Sequence, residues 1–278
     1  DTAGSVRVPA AMTGVAGLKT SRGRWSTNGI VPLSSSLDSP GLLAHRVEDL
    51  ILAFEALDPE RQPPNAIQGR ALRLGVPAGF FLTDCSPGVE TAFKKALSLC
   101  EQAGIQLVAR ELPGTEEAWA LFRAGGLAAP ELVAFLESEL PDWLDTLDDR
   151  VALRIRGVGE LRATDYLHRC RQQQMLAKAA HNVFTGTQAV DALLTPTVAI
   201  TPPSLAEVAT EADYARCNPL ALRNTVMANL MDLCAVTQPI GNDAAGMPVG
   251  LQVIAGWGSD AKALRIAAML EEILNGHN

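Results

Sequence analysis

The stretch from residue 72 to residue 112 constrains this chain most, because it sets two hydrophobic periods side by side. LRLGVPAGF (72–80) reads as a buried strand running into a loop. SPGVETAFKKALSLCEQAG (86–104) reads as a helix. Ser86 is placed to cap its N-terminus, Pro87 takes the first position, where no backbone donor is needed, and Gly104 suits the C-terminal cap. IQLVAREL (105–112) returns to a strand. A strand–helix–strand succession is the building unit of folds in which helices cover a sheet.

The rest of the chain keeps alternating. VPAAMTGVAGL (8–18) predicts a short helix start with Pro9 in its first turn. RVEDLILAFEAL (46–57) predicts a fuller helix, with Val47, Leu50, Ile51, Phe54 and Leu57 on one stripe and Glu48, Asp49 and Glu55 off it. PERQPPNAIQG (59–69) predicts a polar loop. Residues 113–187 read as a variable, mainly helical, cap-like region with Trp119, Phe122, Phe135, Trp143, Tyr166 and Phe184 as anchors. Strand patterns return in DALLTPTVAI (191–200), CAVTQPIG (234–241) and GLQVIAG (250–256), and NDAAGMP between the last two reads as a turn. SDAKALRIAAMLEEILNG (259–276) predicts an amphipathic closing helix, capped by Ser259 or Asp260 and stopped at Gly276. No internal repeat or low-complexity linker interrupts this order. The expected fold is α/β: an α/β/α sandwich with a central mixed β-sheet.

With 278 residues, 47% hydrophobic and 19% charged, the chain can bury a sizeable core. Its net charge of -8, without any Lys/Arg run, argues against nucleic acid as a partner, because phosphate binding needs a basic face. The acidic excess reads as ordinary solubility, and a cytoplasmic location is expected. Cys85, Cys100, Cys170, Cys217 and Cys234 are odd in number and hold no C-x-x-C pair. Buried thiols are therefore expected rather than a disulfide framework or a thiolate zinc site. No apolar run reads as a membrane span, and no signal peptide opens the sequence, so no membrane partner is expected.

Ser5 is the residue with the most chemical promise. Taken alone it reads first as a turn residue, because serine is common in turns; Ala3 and Gly4 beside it, which would let a substrate carbonyl approach backbone N–H groups, raise the nucleophile reading. The helical segment that follows would orient those donors. A nucleophilic serine needs a base. His45, His168, His181 and His277 have no surrounding motif that suggests one, and each reads as a solvated or structural histidine. A lysine-based arrangement remains; Lys19, the nearby lysine, reads as structural. Asp1 and Arg7 read either as a pair bracing the turn or as an ordinary surface pair. Asp38 reads as fixing a loop, and Asn224 and Asn229 either as binding backbone near a pocket or as solvated on a helix face.

DTAGSVRVPAAMTGVAGLKTSRGRWSTNGIVPLSSSLDSPG (1–41) resembles the second half of the amidase signature. That pattern is roughly D-T-G-G-S-x-R-x-P-A, a G-L-K step, a G-R-x-S segment and then S-x-D-x-x-G. RVEDL, DALLTPT, RNTVMANLMDLCAV and GMPVGLQVIA follow in the family's order, so the resemblance covers most of the chain outside 113–187. It implies a partial amidase-signature domain over 1–278, with the N-terminal part outside this chain. It further implies Ser5 as nucleophile, and backbone N–H groups of Thr2, Ala3, Gly4 and Ser5 as the oxyanion hole. A second serine on a cis peptide bond would relay the proton to a deprotonated lysine. The implied activity is hydrolysis of the C–N bond of a small-molecule amide through an acyl-enzyme, without metal or organic cofactor, and a homodimer is a further expectation.

Two departures qualify the resemblance. Ala3 stands where the family usually has glycine, which makes DTAGS similar to the variant of allophanate-hydrolase-like amidases. The family's lysine and its Gly/Ser-rich segment precede the nucleophile, whereas Lys19 follows it and no GGSSGGS-like run occurs in 1–278. Residues 1–278 alone are therefore expected to be inactive and a longer parent active. An allophanate or ureide hydrolase, a glutaminase-type subunit of a transamidation complex, and a non-catalytic scaffold retaining the fold are the alternatives.

Overall fold

The structure, a computed structural model, describes residues 1–58 and 72–276; the loop expected at 59–69 and His277 lie outside them. The strands are β1 (Ala16–Lys19), β2 (Gly41–Ala44), β3 (Arg73–Val76), β4 (Gln106–Ala109), β5 (Ala192–Pro196), β6 (Cys234–Asn242) and β7 (Pro248–Ala255). Among the described residues they form a seven-stranded sheet in the order β2–β1–β6–β7–β5–β3–β4. β3 pairs in parallel with both β4 and β5, and the other pairs are antiparallel, so the sheet is mixed as expected.

The helices are α1 (Arg7–Thr13), α2 (Val47–Leu57), α3 (Pro87–Gln102), α4 (Thr115–Arg123), α5 (Ala128–Glu139), α6 (Asp149–Ile155), α7 (Ala163–His181), α8 (Glu211–Leu230) and α9 (Asp260–Asn275). The parallel β3–β4 pair needs a crossover, and α3 supplies it. Side chains of α2, α3 and α9 pack with Leu18, Leu194, Val236 and Val253 on one face of the sheet. Those of α4, α7 and α8 pack with Leu193, Ala235 and Ile254 on the other. Neighbours along one strand, such as Leu193 and Leu194, thus serve opposite cores. This is the period-two alternation of strands buried on both faces.

Several local expectations are corrected. The short helix start expected at 8–18 is α1, which ends at Thr13; beyond it Gly14 turns left-handed at φ 71° and Ala16 begins β1, a strand the pattern did not announce. Leu57, in the last turn of α2, and Trp143, in a 3₁₀ segment at Pro141–Thr146, are exposed rather than packed. Ser86 sits at the N-cap of α3 without a side-chain cap bond; its hydroxyl is buried with no partner among the described residues. Asp260 turns inward at the start of α9, where Oδ1 accepts the Ser21 amide at 2.6 Å. Cys100, Cys217 and Cys234 are buried, but Cys85 and Cys170 are only partly so, and all five are free thiols.

The stretch Thr115–Glu139 is, by length and composition, apolar enough to cross a membrane, contrary to the expectation that no run would be. It is folded as two helices, α4 and α5, broken at Gly125 and Gly126, both of which have positive φ.

Candidate active site

The opening residues form a tight turn that feeds α1. Gly4 has φ 138°, a region closed to side chains, and its carbonyl accepts the Val8 amide at 2.7 Å. A Cβ added to Gly4 would lie 2.2 Å from Thr225 Oγ1, so the position admits glycine alone. Thr225, on α8, donates that hydroxyl to the Ala3 carbonyl at 2.7 Å. The turn leaves Ser5 exposed. Among the described residues the Ser5 hydroxyl has no hydrogen-bond partner, and the amides of Thr2, Ala3, Gly4 and Ser5 have no acceptor.

A buried ion pair holds this turn. Asp1 Oδ1 meets Arg7 Nη2 at 2.9 Å, and Asp1 Oδ2 accepts Arg7 Nε at 3.1 Å and the amides of Val6 and Arg7 at 3.2 and 3.4 Å. The carboxylate thus satisfies free donors at the start of α1 while it forks onto the guanidinium. Arg7 continues to the Thr225 carbonyl at 2.8 Å, Gln252 Oε1 at 2.6 Å and Asn229 Oδ1 at 2.6 Å. Asn229 Nδ2 donates back to the Asp1 carbonyl and to Oδ1, both at 3.0 Å. Both charged side chains are fully buried, so this is a brace and not a surface pair. Burial pushes the Arg7 pKa down to about 9, which still leaves it a cation at neutral pH.

A second loop clasps the turn from outside. Asp38 Oδ2 accepts the amides of Leu33 and Ser34 at 2.9 and 3.0 Å, and Oδ1 accepts the Thr2 hydroxyl. The Asp1 nitrogen donates to the Ser39 carbonyl at 2.8 Å, and the Ser39 amide returns to the Asp1 carbonyl at 3.2 Å. Glu131 of α5 anchors the same loop. Its Oε2 takes the Ser34 hydroxyl at 2.7 Å and the Ser36 amide at 3.0 Å, and its Oε1 takes the Tyr166 phenol at 2.7 Å. Burial alone would raise this carboxyl; the donors from Ser36, Ser34 and Tyr166 outweigh it and hold the pKa below the usual range.

Lys19 lies at the end of β1, 1% exposed, with Nζ donating to the carbonyls of Thr20 and Leu233 at 2.7 and 3.0 Å. Burial, followed by the Arg7 cation, pushes it down to about 7. Its hydrogen bonds go to backbone and not to Ser5, in keeping with a structural lysine. Asn224 is buried and bonds the Phe81 and Pro196 carbonyls at 3.1 and 2.9 Å. His45, His168 and His181 are exposed. Among the described residues no cluster of three or more His, Cys, Asp or Glu could hold a metal ion.

Thr225, Gln252 and Glu131 were not singled out by sequence. Gln252 had a usable signal, as a lone polar residue inside the apolar run of β7. Thr225 sits among other polar residues of RNTVMAN, and Glu131 in the helical stretch without a motif.

The layered sheet and the glycine–serine turn braced from α8 and β7 define an α/β scaffold built around one exposed hydroxyl. The chain belongs to the amidase family, whose model matches residues 1–264. It is 46% identical to 2-amino-5-chloromuconic acid deaminase of Comamonas testosteroni, an alignment covering 100% of this chain and 60% of that protein. It is 33% identical to a glutamyl-tRNA(Gln) amidotransferase subunit of Thermus thermophilus, over 98% of this chain and 63% of the relative. A solved allophanate hydrolase of Kluyveromyces lactis superposes with TM-score 0.83 at 26% identity, over 99% of this chain and 46% of that one. The chain therefore spans less than two thirds of the length of each of these relatives.

Proposed function

We propose that the full-length protein containing this chain hydrolyses amide C–N bonds, with Ser5 as the acyl-forming nucleophile. The observation that carries this reading is the braced turn, in which an exposed hydroxyl sits among four backbone amides that have no acceptor among the described residues. Ser5 Oγ attacks the substrate carbonyl, and the amides of Thr2, Ala3, Gly4 and Ser5 receive the developing oxyanion. Collapse breaks the C–N bond, releases ammonia or an amine and leaves an ester on Ser5, which water then hydrolyses. The resemblance assigns the base and relay to a lysine and a cis-serine in sequence preceding Asp1. Supporting that assignment, Lys19 is committed to two carbonyls. The identity to the chloromuconic acid deaminase supports a small carboxylate-bearing, unsaturated substrate that loses ammonia. A second reading, a glutaminase-type subunit feeding ammonia to a partner enzyme, is supported by the amidotransferase relative.

Ser5→Ala in the full-length protein is expected to lower amide hydrolysis by at least about 10³-fold without loss of fold, as removal of a nucleophile does elsewhere. Intact mass should show a substrate-derived acyl adduct on the wild type alone. Undiminished turnover by Ser5→Ala would remove the nucleophile assignment. Residues 1–278 expressed alone should not hydrolyse amides, and a Ser5-dependent rate from them would place the base inside this chain. Ammonia passed to a partner without mixing with solvent would favour the second reading.

A further inference from the structure

Beside the helix that holds the serine turn lies a groove of ≈ 440 Å³, bounded by α4, α8 and the 3₁₀ turn Gly79–Phe81. Arg223 of α8 lines it and is 4% exposed. Buried charges are normally matched by close partners. Those of Arg223 are distant: Nε to Asn224 Oδ1 at 3.3 Å, Nη2 to the Phe81 carbonyl at 3.5 Å and to Cys85 Sγ at 4.0 Å, and Nη1 to Asp84 Oδ2 at 4.0 Å. The Asp84 side chain is 75% exposed, so the carboxylate that meets Arg223 Nη1 is largely in water. The groove is lined by three arginines (Arg123, Arg216 and Arg223) and two carboxylates (Asp84 and Glu116), and Arg216 also pairs with Asp213 at 3.2 Å. With Asp213 counted the charges balance, and the case for an anion rests on Arg223, whose contact with the exposed Asp84 carboxylate is 4.0 Å long.

The apolar wall narrows the choice. The Phe80 ring lies 5.6 Å under the Arg223 guanidinium and 6.3 Å from Trp119, edge to face. These surfaces suit a flat, unsaturated body next to a guanidinium that takes a carboxylate through two parallel donors.

We propose that this groove is a carboxylate subsite for a small planar acid, with Arg223 holding the carboxylate and Phe80 and Trp119 the unsaturated body. Thr225, which binds the Ala3 carbonyl, lies two residues further along α8, a rise of about 3 Å, so one helix carries both the subsite and the brace of the serine turn. As a receptor for a substrate's own carboxylate the subsite rests on the amide-hydrolase reading; as a receptor for a separate acid it does not.

The test is calorimetric titration of benzoate into the full-length protein carrying Ser5→Ala, with benzyl alcohol as the neutral control. Benzoate should bind saturably and benzyl alcohol should not. Adding Arg223→Met should weaken benzoate roughly 10- to 100-fold, the range for a lost charge-assisted hydrogen bond. Arg223→Lys, which keeps the charge but not the fork, should weaken it by less. Absence of saturable benzoate binding overturns the proposal, as does unchanged affinity in a folded Arg223→Met protein. If Arg223→Met fails to fold, unchanged affinity in Arg223→Lys overturns it instead. Competitive inhibition of amide turnover by benzoate identifies the acid as the substrate's own end, and inhibition or activation that leaves KM unchanged identifies a separate effector; both keep the subsite. Persistent turnover by Ser5→Ala would sink the nucleophile and leave the titration readable.

Discussion

Single atoms decide the serine turn. At Gly4 a methyl group would meet Thr225 Oγ1 at 2.2 Å in a backbone region that L-residues avoid. Gly4→Ala should therefore destabilise by about 2–4 kcal/mol, strain and overpacking together, measured by urea unfolding. Its loss of activity should exceed that of Thr225→Val, which keeps the shape and removes one hydrogen bond. Lys19 gives a pH signature. Its folded pKa near 7 lies below its unfolded value of 10.5, so the unfolded state binds the extra proton between them and stability rises with pH in that window. Below the range of the thiols, from pH 7 to about 8.5, the slope from this residue is about 1 kcal/mol per unit. Lys19→Met should flatten the rise in Tm across that interval; an unchanged slope would mean that Lys19 does not titrate there. Ser5 could be singled out because it stands inside an ordered signature pattern over residues 1–41; its small neighbours alone fit a turn as well. The polar residues that brace it could not, since Arg7 meets Gln252 across 245 positions and no local pattern encodes such a pairing.

Among the elements, α5 has a role that its sequence conceals. Glu131 ties it to the loop at 33–38, which in turn holds the Thr2 hydroxyl, so a stretch without a motif is bonded to the signature loop. The depressed Glu131 carboxyl stabilises the fold above the ordinary carboxylate range, and this contribution is lost as pH falls through it. Glu131→Gln should weaken acid sensitivity, and Glu131→Leu, which strands the Ser34 and Tyr166 hydroxyls, should cost about 2 kcal/mol in urea unfolding. Equal acid slopes in wild type and Glu131→Gln would refute the link. Long periodic elements such as α3 and α9 were legible because each repeats its stripe over several turns. β1 and β2 were not: AGLK and GLLA hold no β-branched residue, whereas the equally short β3 and β4 each carry a valine. Residues 113–187 were legible as mainly helical, but the exposure of Trp143 was not, since a large aromatic ring signals packing only when something lies across from it.

For the molecule as a whole, the mixed sheet with a core on each face was readable from the alternation of periods. The order of its strands was not, because β1 lies between β2 and β6, and the pairing with β6 spans more than two hundred residues. That separation has a temporal side. Arg7 finds its partners on α8 and β7, and Gln252 is 245 positions downstream. At about 5–20 residues per second, a ribosome releases Arg7 on the order of 10–50 s before Gln252. Through that interval the Asp1–Arg7 pair holds the turn without its full set of partners on α8 and β7. A chain ended before β7 should leave the Arg7 amide open to hydrogen exchange, while the longer chain protects it. Synthesis itself therefore acts as a delay on the turn, whose full set of bracing contacts closes only after nearly all of this chain has been made.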